Sequence, residues 1–132
     1  MKYENINHGD WFKKHDGRRV QIEDPGPVYS VDTGDNVVAN VDLEPLRLAP
    51  DMLYLNGFEK RTTDGALHKR HELESTDEYY HVVVFFNGPK INLYAYNFRT
   101  KRRIDGDLQS VADFQIMLRA VGLVQLANKI KL

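Results

Sequence analysis

The sequence contains no cysteine. Disulfide bonds, thiolate nucleophiles and cysteine-based zinc sites are therefore excluded. Neither sign of charge is in excess, since 18 basic residues stand against 19 acidic ones and the net charge is −1. A chain this close to neutrality has no global field that would draw it to nucleic acid or to an anionic membrane.

Long hydrophobic runs are also missing. The longest apolar run, residues 82–86, is far too short to cross a membrane, and the opening "MKYENINHGD" lacks the apolar stretch of a signal peptide. We therefore expect a cytoplasmic protein without a membrane partner. With 132 residues, of which 42% are hydrophobic, the chain is long enough for a single domain. The expected parts are a β lobe over 1–44, a linking helix within 45–58 and a second lobe over 59–132.

The common catalytic sequence motifs are absent as well. The glycines are never closer than eight residues, so the chain carries neither a phosphate-binding glycine-rich loop nor a dinucleotide fingerprint. No serine lies in a Gly-x-Ser-x-Gly context. We predict a protein that is not an enzyme, with no catalytic residues, no cofactor and no metal.

The first third is typical of β structure. Glycines at 9, 17, 26 and 34 lie in turn-forming contexts such as "HDGR" and "DTGDN". The segments between them, including "RRVQIE" and "NVVANV", alternate apolar with polar residues. The pattern predicts a small β-barrel-like or curled antiparallel sheet. Trp11 is interpreted as a core anchor of this lobe, and the alternative is an exposed stacking platform.

A short linking helix is predicted next, over about residues 50–56. Pro50 suits the first helical position, where its missing N–H costs no hydrogen bond. Asp51 complements the helix dipole, and Gly57 suits the left-handed position that ends a helix.

The last part is typical of a β-hairpin followed by a helix. The segments "EYYHVVVFF" and "KINLYAYNF" flank "NGPK", and Pro89 predicts a turn longer than two residues. The first strand is apolar on both faces, so we expect the β lobe to cover one face and the C-terminal helix the other. That helix is predicted to begin with Asp107 as its N-cap and to place Phe114 in one core with Val84. The ending "NKIKL" is interpreted as a last strand, and the predicted fold class is α+β.

A resemblance rests on four segments in this order: "GDWFKKHDGRRVQIED", "LEPLRLAPDMLYLNGFEK", "YYHVVVFFNGPKINLYAYN" and "SVADFQIMLRAVGL". The succession resembles a group of small uncharacterised proteins from gut bacteria and their phages. Those proteins carry a Gly-Asn/Asp-Trp strand, a Pro-x-x-Leu helix ending in Gly-Phe, a β-hairpin and a C-terminal helix. This sequence departs from them at 49–51, where Ala-Pro-Asp replaces the usual Thr-Glu-Glu. The resemblance implies the architecture and an origin in a phage or mobile element, and it implies no activity or cofactor.

Three of the five histidines lie in "ALHKRHELESTDEYYHVVVFF", among acidic residues. His68 and His71 have the spacing of a zinc pair on a helix, but a strand would place them on opposite faces. We interpret residues 66–78 as an exposed, charged hairpin arm. His81 is expected to be a partly buried core histidine, and a functional role would require Asp77 or Glu78 to lie near it. The alternative is a small hydrolase centred on His81 or on the His68/His71 pair.

One basic cluster, "FRTKRR", directly precedes the final helix. Its cations, together with one apolar residue that falls off the stripe of that helix, are the candidate binding residues: Arg99, Lys101, Arg102, Arg103 and Ile116. The leading prediction is a binding or accessory protein whose partner is a protein. The alternative is a weak nucleic-acid-binding protein in which the basic loop 99–103 contacts phosphates beside stacking aromatic side chains. The pattern predicts no oligomeric state.

Overall fold

The computed structural model describes residues 6–24, 29–37, 42–60 and 71–132. Within these ranges the chain forms two five-stranded antiparallel sheets and three short helices. The predicted α+β class is therefore confirmed. No helix of these ranges is long and apolar enough to cross a membrane.

The first sheet is a curled antiparallel half-barrel, as the glycine spacing predicts. Its strands are β1 Trp11–Lys14, β2 Arg19–Asp24, β3 Tyr29–Val31, β4 Asn36–Val37 and β5 Leu43–Glu44, in the order β4-β3-β2-β1-β5. Val20 and Ile22 are buried while their neighbours are more exposed, because alternate residues of a strand point to opposite faces. The register shifts between Ile22 and Asp24, and such an irregularity bends a strand and increases its twist.

The linking helix is confirmed as α1, Pro50–Leu55. Pro50 stands at its first turn. Gly57 follows its end with a φ of +82°, a conformation that glycine adopts without strain. Met52 and Leu53 are buried and belong to the larger of two hydrophobic cores, so α1 packs onto the second lobe.

The second sheet contains β6 Glu59–Lys60, β7 His71–Thr76, β8 Tyr80–Asn87, β9 Lys90–Asn97 and β10 Arg102–Leu108, in the order β10-β9-β8-β7-β6. The predicted hairpin is confirmed as β8 and β9, but the prediction of a longer turn is wrong. Asn87 pairs with Lys90, which leaves only Gly88 and Pro89 between the strands. Gly88 has the positive φ, +60°, that a type II′ turn needs at its first position, and proline supplies the negative φ of the second.

Strands β7 and β10 depart from the sequence-based interpretation in different ways. Of the predicted arm 66–78, residues 66–70 lie outside the described residues. Residues 71–76 form a strand as predicted, but this part is not an exposed arm, because Glu72 and Leu73 are buried. Strand β10 covers residues interpreted as a basic loop. In its sequence "RRIDGDL", Ile104, Gly106 and Leu108 alternate with charged residues that are exposed. Glycine weakens a strand pattern, and the strand is shown by its backbone pairing along β9.

The C-terminal helix is α2, Val111–Ala120, and its N-cap is Ser110 rather than Asp107. The Ser110 hydroxyl accepts the Asp113 N–H at 3.1 Å, and the Asp113 carboxylate accepts the Ser110 N–H at 3.1 Å. This capping box satisfies two backbone donors at the helix start. Asp107 is instead held in β10, opposite Asn92.

The predicted meeting of Val84 and Phe114 in one core is confirmed. Both side chains are fully buried and belong to the larger hydrophobic core, between the second sheet and α2. The Phe114 ring meets Phe58 edge-on, with ring centroids 5.9 Å apart and an interplanar angle of 76°.

The β lobe packs against α2, and the prediction that it covers the second face of the hairpin is wrong. Ala112 joins the β-lobe core, whereas Phe114 and Leu118 join the larger core, so α2 lies between the two. Trp11 packs against the larger core, and its indole Nε1 donates to the Ile130 carbonyl at 2.9 Å. Trp11 therefore joins the two lobes rather than anchoring the first.

The chain ends with α3, Val124–Asn128, and the last strand predicted for "NKIKL" is not formed by residues 128–132, all of which the structure describes. The Asn56 side chain accepts the Lys131 N–H at 2.7 Å and donates to the Lys131 carbonyl at 2.7 Å. The tail backbone thus bonds to the end of α1, and Ile130 is buried.

Candidate functional site

The predicted basic cluster is divided by the fold. Arg99 and Lys101 lie in the turn between β9 and β10, where Lys101 has a φ of +57°. Arg102 and Arg103 begin β10, and consecutive strand residues point to opposite faces. Arg103 forms an exposed ion pair with Asp105, with Nε and Oδ2 3.6 Å apart. The four cations therefore do not form one continuous patch.

Ile116 is half-buried on α2. It follows Ala112 by four residues and precedes Arg119 by three, so it lies on the side of the helix that faces the β lobe. It does not line the cleft that contains Arg99. The structure therefore does not join Ile116 to the basic residues in one site.

A cleft of about 660 Å³ opens where the β7–β8 and β9–β10 turns meet the segment that follows α2. We call it the end cleft. Its lining combines apolar and cationic side chains, among them Tyr79, Arg99, Leu123, Val124, Leu126 and Lys129.

The cations of the end cleft have no carboxylate partner among the residues that the structure describes. The Arg99 guanidinium lies 5.3 Å from the centroid of the Tyr79 ring, a cation–π contact. Asp77 also lines the cleft, but its Oδ1 accepts the N–H groups of Tyr79 and Tyr80 at 2.7 and 3.0 Å. Asp77 contributes one negative charge against the two positive charges of Arg99 and Lys129, so the cleft remains net positive and suits an anionic group.

Asn97 fixes the geometry of the end cleft. Its Oδ1 accepts the Arg99 N–H at 3.0 Å and the Thr100 N–H at 3.3 Å, while its Nδ2 donates to the Val121 carbonyl at 2.8 Å. One buried side chain thus ties the β9–β10 turn to the end of α2. Gly122 leaves room for it, since a Cβ at that position would lie 3.2 Å from the Asn97 Nδ2.

Exposed hydrophobic side chains gather beside the end cleft. In the described part of the chain five large hydrophobic residues are exposed, and three of these are Tyr79, Phe98 and Val124. Tyr79 and Val124 line the cleft. Phe98 follows the cleft residue Asn97, but it does not line the cleft, and its ring contacts Tyr96. The other two, Tyr54 and Leu55, lie on α1. Exposed apolar side chains grouped around a concave surface are typical of binding sites.

His81 is half-buried, as expected, on the face of the second sheet that points away from α2, which we call the outer face. Its acidic partner is Glu74 of β7, with His81 Nε2 and Glu74 Oε2 3.2 Å apart, and not a residue of the preceding turn. Its ring meets Tyr94 edge-on at 5.9 Å. Thr76 pairs directly with His81 across the strands, but its hydroxyl donates to the Tyr80 carbonyl at 3.2 Å. The Thr76 hydroxyl, which lies across the strands from His81, is therefore already hydrogen-bonded to the backbone.

The proposed histidine pair falls largely outside the described residues: His68 is not among them, and the side chain of His71 is not described. Within the ranges that are described, no three His, Asp or Glu side chains come together in a way that could hold a metal ion.

A polar network joins the β lobe to α2, and the sequence pattern does not reveal it. Arg119 pairs with the fully buried carboxylate of Asp10 and donates to Asn128 Oδ1 at 2.9 Å. Burial raises the pKa of Asp10 above its usual 3.8, against the opposing effects of the Asn7 N–H and of Arg119. The only sequence signal is that Gln115 and Arg119 are polar and four residues apart, on one side of an amphipathic helix.

Chemically, the end cleft offers cations and apolar surface in a concave setting, while the outer face offers a histidine–carboxylate pair. The first arrangement suits binding of an anionic, partly apolar ligand. No protein-family model, curated protein or solved structure matches this chain.

Proposed function

We propose that the chain is a non-catalytic binding or accessory protein of a phage or other mobile element, acting in the cytoplasm through the end cleft on a protein partner. The observation that carries this proposal is the coincidence of exposed apolar side chains with two cations that lack carboxylate partners in the described part of the chain. The phage or mobile-element origin rests on the sequence resemblance alone.

The partner is a protein segment that carries both acidic and apolar side chains. Leu123, Val124 and Leu126 supply an apolar wall, whose burial gives affinity without direction. Arg99 and Lys129 stand on the same cleft and give orientation by pairing with carboxylates. A basic segment would meet the like charges of Arg99 and Lys129, so the cleft selects against it.

The test uses two probe peptides that differ only in the sign of their charge. In the first, glutamate alternates with leucine and phenylalanine, and in the second lysine replaces glutamate. Titration of isotope-labelled protein, followed by backbone amide NMR, should shift the signals of Tyr79, Arg99 and Gly122 with the acidic peptide, and less so at high salt. Shifts of equal size with the basic peptide, or shifts confined to residues far from the cleft, would contradict the proposal.

A second candidate function is weak binding of single-stranded nucleic acid. It is favoured by the rings of Tyr96 and Phe98, whose centroids are 5.1 Å apart, next to the cations of the β9–β10 turn. Aromatic faces beside cations suit stacked bases and phosphates. On the outer face, however, Asp105 and Asp107 are exposed and add negative charge. Retention on an oligothymidylate column that falls with salt, and falls further in Phe98→Ala, would favour this function.

A further inference from the structure

Strand β10 has a free edge. It is the last strand of its sheet within the described ranges, paired with β9 alone. Its residues Arg102, Arg103, Asp105 and Asp107 are exposed. The free edge ends near residue 109, because the Leu48 N–H donates to the Gln109 carbonyl at 2.9 Å. A strand edge of this kind presents backbone N–H and C=O groups that another strand can pair with.

The charges along this edge are arranged as a self-complementary pattern. Residues 101–107 read "KRRIDGD", with cations before Ile104 and carboxylates after it. In an antiparallel pair centred on Ile104, Arg103 of one copy lies opposite Asp105 of the other, and the twofold axis repeats this contact on its other side. Opposite charges directly across an antiparallel pair are stabilising, and like charges are destabilising.

We propose that β10 pairs antiparallel with β10 of a second copy of this chain, about a twofold axis at Ile104, so that the two outer faces lie on the same side of one continuous sheet. The proposal goes beyond the function proposed above and does not depend on it.

Neighbouring registers are disfavoured by the same charges. Centring the pair on Arg103 would set Arg103 against itself, and centring it on Asp105 would set Asp105 against itself. A parallel pair would align each charge with its own kind. Charge on an edge strand usually prevents pairing, but here it leaves one register in which Arg103 and Asp105 of the two copies attract each other. The twofold axis also makes the contact close on itself, so that it yields a dimer and not a fibre.

The first experiment is a charge exchange followed by sedimentation equilibrium. The wild type should show a mass that rises with concentration from 15.3 kDa toward twice that value. Arg103→Glu and Asp105→Arg should each weaken dimerisation by about tenfold or more, because each dimer contains the altered pair twice. The double variant Arg103→Glu/Asp105→Arg should restore it. Asp16 and Arg18 form a comparable exposed ion pair in the β lobe, 2.7 Å apart, so Arg18→Glu is the matched control and should leave dimerisation unchanged.

A second experiment tests the position of the axis. Because the chain has no cysteine, Ile104→Cys introduces a single thiol. In the proposed pair its Cα lies about 4.5–5.5 Å from that of the same residue in the other copy, within reach of a disulfide. Gln109→Cys is the control, since its two copies would be more than about 30 Å apart along the strands. Ile104→Cys should oxidise to a covalent dimer, and Gln109→Cys should not.

The proposal is overturned by any of three results. The first is a wild-type mass that stays at 15.3 kDa at every concentration. The second is a double exchange that dimerises no better than the single variants. The third is an Ile104→Cys variant that crosslinks no faster than Gln109→Cys. The charge-exchange experiment changes only exposed residues. It therefore tests the proposal even if cysteine at the half-buried position 104 prevents folding.

Discussion

The Gln115 side chain accepts a hydrogen bond from the Trp11 backbone N–H at 3.0 Å, although the two residues are 104 positions apart. Its Nε2 donates to the carbonyls of Gly9 and Ala127, at 2.8 and 3.0 Å. Gln115 is fully buried and thereby joins the β lobe, α2 and α3 through one amide. Since an amide buried without partners is costly, we expect this residue to contribute strongly to the docking of the two lobes.

We expect Gln115→Leu to lower the free energy of unfolding by at least about 2 kcal/mol, because it leaves the buried Trp11 N–H without its acceptor. Urea denaturation measures the change. Gln109→Leu, at an exposed position, is the control and should stay within about 0.5 kcal/mol of wild type. Equal effects of the two variants would show that the amide does not hold the lobes together.

Phe114→Ala should cost about 3–5 kcal/mol, because a fully buried ring is removed from the larger core and its contact with Phe58 is lost. Leu55→Ala, on a side chain that is 67% exposed, should change stability little. Guanidinium denaturation of both variants provides the comparison. A small effect of Phe114→Ala would mean that α2 does not pack on the sheet as described.

The pKa values of two aspartates should be shifted in opposite directions from the usual value of an aspartate. Burial raises the pKa of Asp10 above 3.8, so its contribution favours the folded state most below pH 3.8 and is lost as the pH rises through the folded-state pKa. The Arg18 N–H lowers the pKa of Asp16, so the contribution of Asp16 is present above pH 3.8 and is lost as the pH falls through its folded-state pKa. NMR titration of the carboxyl carbons measures both, and an Asp10 pKa below that of Asp16 would contradict the burial of Asp10.

A substitution of Arg119, the ion-pair partner of Asp10, provides a second test of the Asp10 pKa. Arg119→Met removes a cation that opposes the effect of burial, so the pKa of Asp10 should rise further in this variant. The same titration measures the change. No change in the pKa of Asp10 would mean that the Arg119 pair does not form in solution.

Gly122→Ala should be more destabilising than Gly106→Ala. Gly122 has a φ of +83°, and a Cβ there would approach the Asn97 amide at 3.2 Å, so we expect a cost of about 1–3 kcal/mol. A Cβ at Gly106 would meet only the terminal Cε of Met117 at 3.0 Å, and that flexible end can move. Thermal unfolding of both variants tests this order. A reversed order would mean that the Asn97 contact does not constrain the end cleft.

The sequence predicts those parts of the fold whose signals are local. Pro50 and Gly57 bracket α1 correctly, and the periodic apolar residues of the hairpin and of α2 predict the pairing of Val84 with Phe114 in one core. Strand β10 is not predicted, because its first residues belong to a run of basic residues typical of a solvated loop and Gly106 interrupts its apolar positions. It forms a strand through its pairing with β9.

The candidate site was only partly predictable, because it depends on which turns meet in space. The sequence indicates Arg99 through the density of basic residues around it. It does not indicate Lys129 or Tyr79, which reach the same cleft from segments distant in the chain. Nor does it predict that Arg102 and Arg103 point to opposite faces of β10, because the basic run was interpreted as a loop.

The most direct test of binding at the end cleft is the affinity of the acidic probe peptide for the wild type and for variants of this cleft. Isothermal titration calorimetry at low salt measures it. Arg99→Ala and Lys129→Ala should each weaken binding roughly threefold, and the double variant about tenfold, as expected for exposed charge pairs. Lys90→Ala removes an exposed cation at the opposite end of the hairpin and should leave the affinity unchanged. An equal loss in Lys90→Ala, or wild-type affinity in the double variant, would contradict the assignment of the end cleft as the binding site.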